Sequence, residues 1–560
     1  MNSKFIVYQV FTRLFGNDKK TRKPNGSITE NGCGKFNDFT PIALKAIKDL
    51  GVTHVWFTGV MEHATKTDYT SFGIEKNNES VVKGNAGSPY AIRDYYDVCP
   101  DLAVNVENRM KEFEELIKRT HKAGLKVIID FVPNHVAREY KSDKKPRGVK
   151  DLGEGDDVNL FFHNQNNFYY IAYPFMPQFE MNCPYNEFPA KATGNNRFDA
   201  SPTINDWYET VKLNYGVDFS DGRVVNRFDP MPNTWTKMRD ILMFWSKKGV
   251  DGFRCDMAEM VPVDFWHWVI PEVKREFKNL IFIAEVYNPN EYRNYIQYGN
   301  FDYLYDKVGL YDQLKAVTAG YSASSLTHCW QSINDIQGNM LNFLENHDEQ
   351  RLASDFFAND GKNGIPALVV SACMNTNPFM LYFGQELGEK GMDEEGFSGK
   401  DGRTTIFDYW SLKSIQNWRN GGSYDGGKLT KTQKDLQQVY KTVLNCALNE
   451  KAISEGLFYD IMYANYDNAD FDGNKVYAFI RKYKNEVIVA LANFSDEKIK
   501  VKVHIPSEAF DYFELKPNTS VTPTDLISGK KESKINLSPD ENFAVSLDKK
   551  GAKLLKFILK

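Results

Sequence analysis

The chain has 560 residues, 42% hydrophobic and 26% charged, which is room for several domains or for one large barrel with attachments. Lys plus Arg 69 against Asp plus Glu 74 gives a net charge of −5, which argues against a polybasic nucleic-acid binder. Seven cysteines, an odd number with no C-x-x-C pair, do not make a disulfide scaffold or a cysteine zinc site, and no uninterrupted apolar run reaches membrane-spanning length.

The first element, Lys4 to Phe11, reads as a strand rather than as a leader's charged and apolar regions. The chain is therefore expected to be cytoplasmic, or exported after losing a leader that this sequence does not include. Gly51 to Phe57 is the next predicted strand. Glu107 to Ala123 is a helix by its period, with Met110, Phe113, Leu116 and Ile117 on one face. Leu125 to Phe131 follows as a strand. The cycle recurs with helix Met238 to Lys248 and strand Val250 to Arg254, then with helix Phe265 to Lys278 and strand Leu280 to Glu285. Near-continuous apolar strands separated by helices imply a parallel sheet buried on both faces, and this many repeats favour a (β/α)8 TIM barrel. No G-x-G-x-x-G opens a helix, which weakens a dinucleotide-binding reading.

Two regions break the rhythm. Residues 136–233 are rich in Asn, Tyr, Phe and Pro and predict an inserted small domain after the third strand. Beyond 450, runs such as Val476 to Arg481 and Glu486 to Leu491 predict an antiparallel β-sandwich. The expected division is a catalytic barrel on 1–135 and 234–450, the insertion on 136–233 and the sandwich on 451–560.

Chemistry in such a barrel sits at the C-terminal ends of the strands. The third strand ends Asp130-Phe131-Val132-Pro133-Asn134-His135, the fourth Arg254-Cys255-Asp256 and the fifth Ala284-Glu285. A later one ends Glu345-Asn346-His347-Asp348. Any one of these acids alone reads most simply as a helix cap. Their recurrence at one rim does not. Asp256 and Glu285 end consecutive strands, so their carboxyl groups can lie about 5 to 5.5 Å apart, the separation used by retaining glycosidases.

These segments resemble the α-amylase family, glycoside hydrolase family 13. Four motifs occur in the family's order, and Ser88-Pro89-Tyr90, Lys212-Leu213-Asn214 and Leu381-Tyr382-Phe383-Gly384 extend the likeness along most of the chain. The resemblance implies that Asp256 is the nucleophile, Glu285 the general acid and then base, and Asp348 the carboxylate that binds the distorted sugar. It implies that Arg254 keeps Asp256 ionised, that His135 and His347 donate to sugar hydroxyls, that Tyr90 is the apolar platform and that Asp130 orients the network. The substrate implied is an α-glucan or malto-oligosaccharide, with no nucleic-acid or membrane partner. No cofactor is needed for the chemistry. Asn134 matches a family position that often ligates a structural Ca2+, an ion that takes about six to eight oxygen ligands.

The chain also departs from the pattern. Where many endo-acting amylases follow the nucleophile with Lys-His, it has Met257-Ala258-Glu259-Met260. The acceptor side is therefore expected to differ. An α-glucosidase, a neopullulanase or cyclomaltodextrinase-like enzyme and a transglycosylase stay open beside an endo-amylase, as does a catalytically inert carbohydrate-binding protein. Aromatic residues make up 14% of the chain. Those between Phe168 and Phe188 are expected to wall a glucan cleft.

Overall fold

The computed structural model describes residues 4–559. Eight parallel strands form a closed barrel, numbered here in chain order: β1 (Ile6–Phe11), β2 (His54–Thr58), β3 (Lys126–Phe131), β4 (Gly252–Cys255), β5 (Ile281–Ala284), β6 (Tyr303–Tyr305), β7 (Met340–Phe343) and β8 (Phe379–Tyr382). Each pairs with its neighbour in sequence, and β8 closes on β1 through Ile6↔Phe379 to Gln9↔Tyr382. The strands carry no polar stripe because neither face meets water. One face fills the barrel and the other lies under helices. All six residues of β1 are buried.

The helices follow the expected period, with boundaries shifted by a few residues. Helix α1 (Arg109–Lys122) buries Phe113, Leu116 and Ile117, and Met110 packs beside them. Helix α2 (Asn233–Lys248) ends at Gly249, whose φ of 99° is left-handed and needs a glycine. Helix α3 (Val263–Glu276) precedes β5.

The segment after β3 makes only short antiparallel pairs. His135–Ala137 pairs with Thr210–Lys212, which places Lys212 opposite His135 and fastens the far end of the insertion to the barrel rim. The aromatics expected to wall a cleft have another task. Phe168, Tyr169, Tyr170 and Phe175 are buried within the insertion, while Tyr173 and Phe188 are exposed. A stretch without long strands has few backbone ladders, and packed rings supply its core instead.

The C-terminal region is antiparallel. Leu457–Asp460, Val476–Tyr483, Glu486–Asn493, Ala552–Ile558 and Thr524–Asp525 make a five-stranded sheet, accompanied by the pairs Ile499–Val503 with Phe543–Leu547 and Thr519–Val521 with Ile535–Leu537. A helix at Ser507–Phe513 interrupts what reads as strands only, and it buries Ala509, Phe510 and Phe513. Arg481 joins this region to the barrel. Its buried guanidinium donates to the carbonyls of Ala452, Ile453 and Gly456 and, at 2.9 Å, to that of Met374, just ahead of β8. From the other end of the chain, Lys4 donates to the carbonyls of Asn375 and Asn377.

Candidate active site

The strand ladder itself sets the two central carboxylates side by side. Cys255 of β4 is in register with Ala284 of β5, and the hydrogen bonding runs one residue further at each end. The Asp256 N–H donates to Phe131 O at 2.9 Å and the Glu285 N–H to Cys255 O at 3.1 Å. Arg254, in register with Asp130 and Ile283, points into the barrel. Its fully buried guanidinium reaches Asp256 Oδ1 through Nη1 at 2.7 Å and Glu285 Oε2 through Nη2 at 2.7 Å. Nη1 also lies 3.6 Å from Asp130 Oδ1, and Nε donates to the Tyr305 hydroxyl. One cation therefore serves three buried carboxylates.

Burial pushes the Asp256 carboxyl well above the ordinary carboxylate range; Arg254 opposes this, and the Glu285 and Asp348 charges add to it. Burial also raises Asp130, against Arg254 and His347. For Asp348 burial acts upward too, but His347, Arg254 and Arg403 outweigh it and hold the carboxyl below its usual range. Asp348 is the most open of the set, with its side chain 40% exposed and 3.0 Å from His347 Nε2.

A second layer orients these groups. Tyr90 lies stacked on His347, ring centroids 5.1 Å apart, with its hydroxyl 2.6 Å from His347 Nε2. Its hydroxyl also points at Asp130 Oδ1, and Trp56 donates to Asp130 Oδ2 at 3.1 Å. The amide of Gln9 lies 2.8 Å from His347 Nδ1. His135 packs against Trp207, and burial lowers it to about 3, so the imidazole is neutral. The structure thus gathers Tyr90, Asp130, His135, Arg254, Asp256, Glu285, His347 and Asp348 at one rim.

Tyr90, His135, Trp207, Asp256, Glu285 and Asp348 line a cleft of about 600 Å3. Four further residues are not evident from the motifs. Gln9 and Trp56 sit on β1 and β2, and Tyr305 on β6, where an inward-facing polar or aromatic residue near a strand end is the available signal. Tyr287, two residues past Glu285, donates its hydroxyl to Glu285 Oε1 at 2.5 Å.

Asn134 does not fit a calcium ion. Its Oδ1 accepts from the Lys212 ammonium, which also donates to the Met260 carbonyl at 3.0 Å, and its Nδ2 donates to Gly194 O. Lys212 is buried, and desolvation lowers it to about 7. The Lys212 amine already occupies the position that would face a cation. Among the described residues no group of three or more His, Cys, Asp or Glu is arranged to hold a metal.

Comparison with known proteins gives the family. The model of the α-amylase catalytic domain matches residues 9–459. Alpha-amylase MalA of Haloarcula japonica is 22% identical over 532 residues, 94% of this chain, which spans 58% of that relative's length. Alpha-amylase 3 of Dictyoglomus thermophilum is 25% identical, with 80% of this chain and 78% of the relative covered. Among solved structures, the maltogenic α-amylase AmyB from Thermotoga neapolitana superposes with a TM-score of 0.64 at 19% identity, over 99% of both chains. No helix among the described residues is long and apolar enough to cross a membrane. With the family match running from β1 to the start of the C-terminal sheet, the chain belongs to the α-amylase catalytic-domain family of glycoside hydrolases.

Proposed function

We propose that the chain is a retaining α-glucan hydrolase that cleaves α-1,4-glucosidic bonds of starch or malto-oligosaccharides by double displacement. The observation that carries this reading is the Arg254 fork, with Asp256 on one terminal nitrogen and Glu285 on the other. That arrangement holds the pair at close range. It supports the separation of about 5 to 5.5 Å used for nucleophilic attack, rather than the about 6.5 to 9.5 Å that leaves room for an attacking water.

In the first half-reaction Asp256 Oδ attacks the anomeric carbon, and Glu285 gives its proton to the glycosidic oxygen as that bond breaks. In the second, a water yields its proton to Glu285 and its oxygen to the anomeric carbon, releasing Asp256. Asp348, at the open side of the cleft, accepts from hydroxyls of the flattened sugar. Tyr90 offers its ring to the sugar face, and His135 and His347 stand beside it. Removing the guanidinium's partners tests this. Asp256→Asn and Glu285→Gln should each lower kcat on maltoheptaose by about 1000-fold or more with an unchanged melting curve. Near-normal turnover in either would sink the assignment. The product time course on starch, pullulan and maltoheptaose then reads the linkage and the mode of attack. Mixed maltose and maltotriose mean endo cleavage, glucose alone means exo cleavage, and longer products mean transfer.

A further inference from the structure

We propose that Tyr287 is a positioning residue for Glu285, fixing which carboxyl oxygen carries the transferable proton and stabilising the carboxylate left after transfer. The inference rests on the acid/base role of Glu285 given above.

The two oxygens of Glu285 are not equivalent. Oε2 accepts from the Met257 N–H at 2.8 Å and lies 2.7 Å from the cationic Arg254 Nη2, an ion pair without a hydrogen bond's alignment. Neither an amide N–H nor a guanidinium can accept, so a proton on Oε2 would find no acceptor and would face a positive charge. Oε1 accepts from the Tyr287 hydroxyl at 2.5 Å, and Glu285 and Tyr287 both line the cleft. A hydroxyl rotates. It accepts from a protonated Oε1 and donates to an ionised one. The proton is thus confined to Oε1, the oxygen bonded to a cleft-lining hydroxyl, and the charge that develops there on transfer meets a donor already in place.

The loop that carries Tyr287 is held by the segment that departs from the family's Lys-His pattern. Glu259 Oε2 accepts from the N–H groups of Tyr287 and Asn288 at 3.0 and 3.1 Å. Met257, in the left-handed region at φ 43°, turns its N–H onto Glu285 from the same segment. Residues 257–260 therefore act on Glu285 twice, once directly through Met257 and once through Glu259 and Tyr287.

The charged and titratable groups facing Glu285 are Arg254 and Asp256 from β4, Tyr305 from β6 and Tyr287 from its own loop, with Asp348 across the cleft. Of these, Tyr287 is an uncharged group bonded directly to Glu285, so its contact can be removed without removing a charge. A donor to the carboxylate stabilises the charge left after transfer, so its loss slows transfer most where the leaving group needs the proton.

The experiment is Tyr287→Phe in the full chain, assayed on maltoheptaose and on 2-chloro-4-nitrophenyl α-maltotrioside, whose leaving group needs little protonation. At the optimum kcat/KM should fall about 10-fold on maltoheptaose and less than about 2-fold on the activated substrate. Equal losses on both substrates overturn the inference and make Tyr287 a packing residue. A wild-type chain that cleaves neither substrate overturns the functional reading beneath it.

Discussion

Arg254 and Asp256 are two residues apart on one strand end, and their side chains meet at 2.7 Å with the guanidinium wholly buried. Alternation along β4 sends both into the barrel mouth, and the same guanidinium continues to Glu285. Removing it leaves carboxylates buried without a counter-charge. Arg254→Leu is expected to cost about 3 to 5 kcal/mol of stability, the range for breaking a buried pair from one side. Arg254→Lys should not restore activity, because an ammonium cannot hold two carboxylates on separate arms. Chemical denaturation and kcat/KM on maltoheptaose read both effects; a Lys variant with near-wild-type turnover would show that charge alone suffices.

Lys212 and Asn134 yield a test of metal dependence. Because the ammonium sits on Asn134 Oδ1, a chelator should leave the melting temperature unchanged. Lys212→Met, by contrast, strands Asn134 Oδ1 and the Met260 carbonyl in a dry seam, at a cost of about 1 to 3 kcal/mol. A melting temperature that drops on chelation would restore calcium to this protein.

Long substrates should feel Trp207. The ring stands half-buried at the cleft beside His135, the role expected of the residues from Phe168 to Phe188. Trp207→Ala is expected to raise KM for maltoheptaose about 5- to 10-fold, the loss of roughly one stacking contact. Phe188→Ala, at an exposed ring, should leave KM unchanged. The reverse ranking would return the cleft wall to the insertion's own aromatics.

His63 supplies a pH signature. It is buried, with Nε2 2.6 Å from Arg13 Nη2 and Nδ1 3.1 Å from Met61 O, so the neutral ring accepts from arginine and donates to the carbonyl. Burial, and then Arg13, lower it to about 3 from 6.5. Between those values the unfolded chain holds a proton that the folded chain does not. Stability tied to His63 is therefore complete above pH 6.5 and is lost as pH falls toward about 3. Relative to His63→Gln, the wild type should lose up to about 1.4 kcal/mol per pH unit in this window. Parallel stability curves for the two proteins would mean the ring is protonated when folded.

Much of this site is legible in the sequence because barrel strands end where their chemistry begins. Asp130, Asp256, Glu285 and Asp348 each follow an apolar run, and the run fixes the rim on which they stand. What was not legible lies across space rather than along the chain. Nothing near Asn134 in sequence announces that Lys212, 78 residues on, will fill its calcium position. The pairing of His135–Ala137 with Thr210–Lys212 decides that. The aromatic run of the insertion misleads for a related reason. Composition marks rings suited to sugars, but not whether they face a cleft or one another. Tyr287 is adjacent to a motif, yet its aim depends on Glu259 holding the loop.

The pairing of β1 with β8 also sets an order of events during synthesis. Ile6 to Gln9 must wait for Phe379 to Tyr382 before the barrel can close. At about 5 to 20 residues per second, the first strand leaves the ribosome roughly 20 to 70 s before its second partner exists. The turn ahead of β8 is then held from both sides, by Lys4 from the oldest part of the chain and by Arg481 from a later one. The nascent chain thus carries an unpaired strand edge for most of its translation. Until β8 arrives, that edge is a template on which another chain can pair.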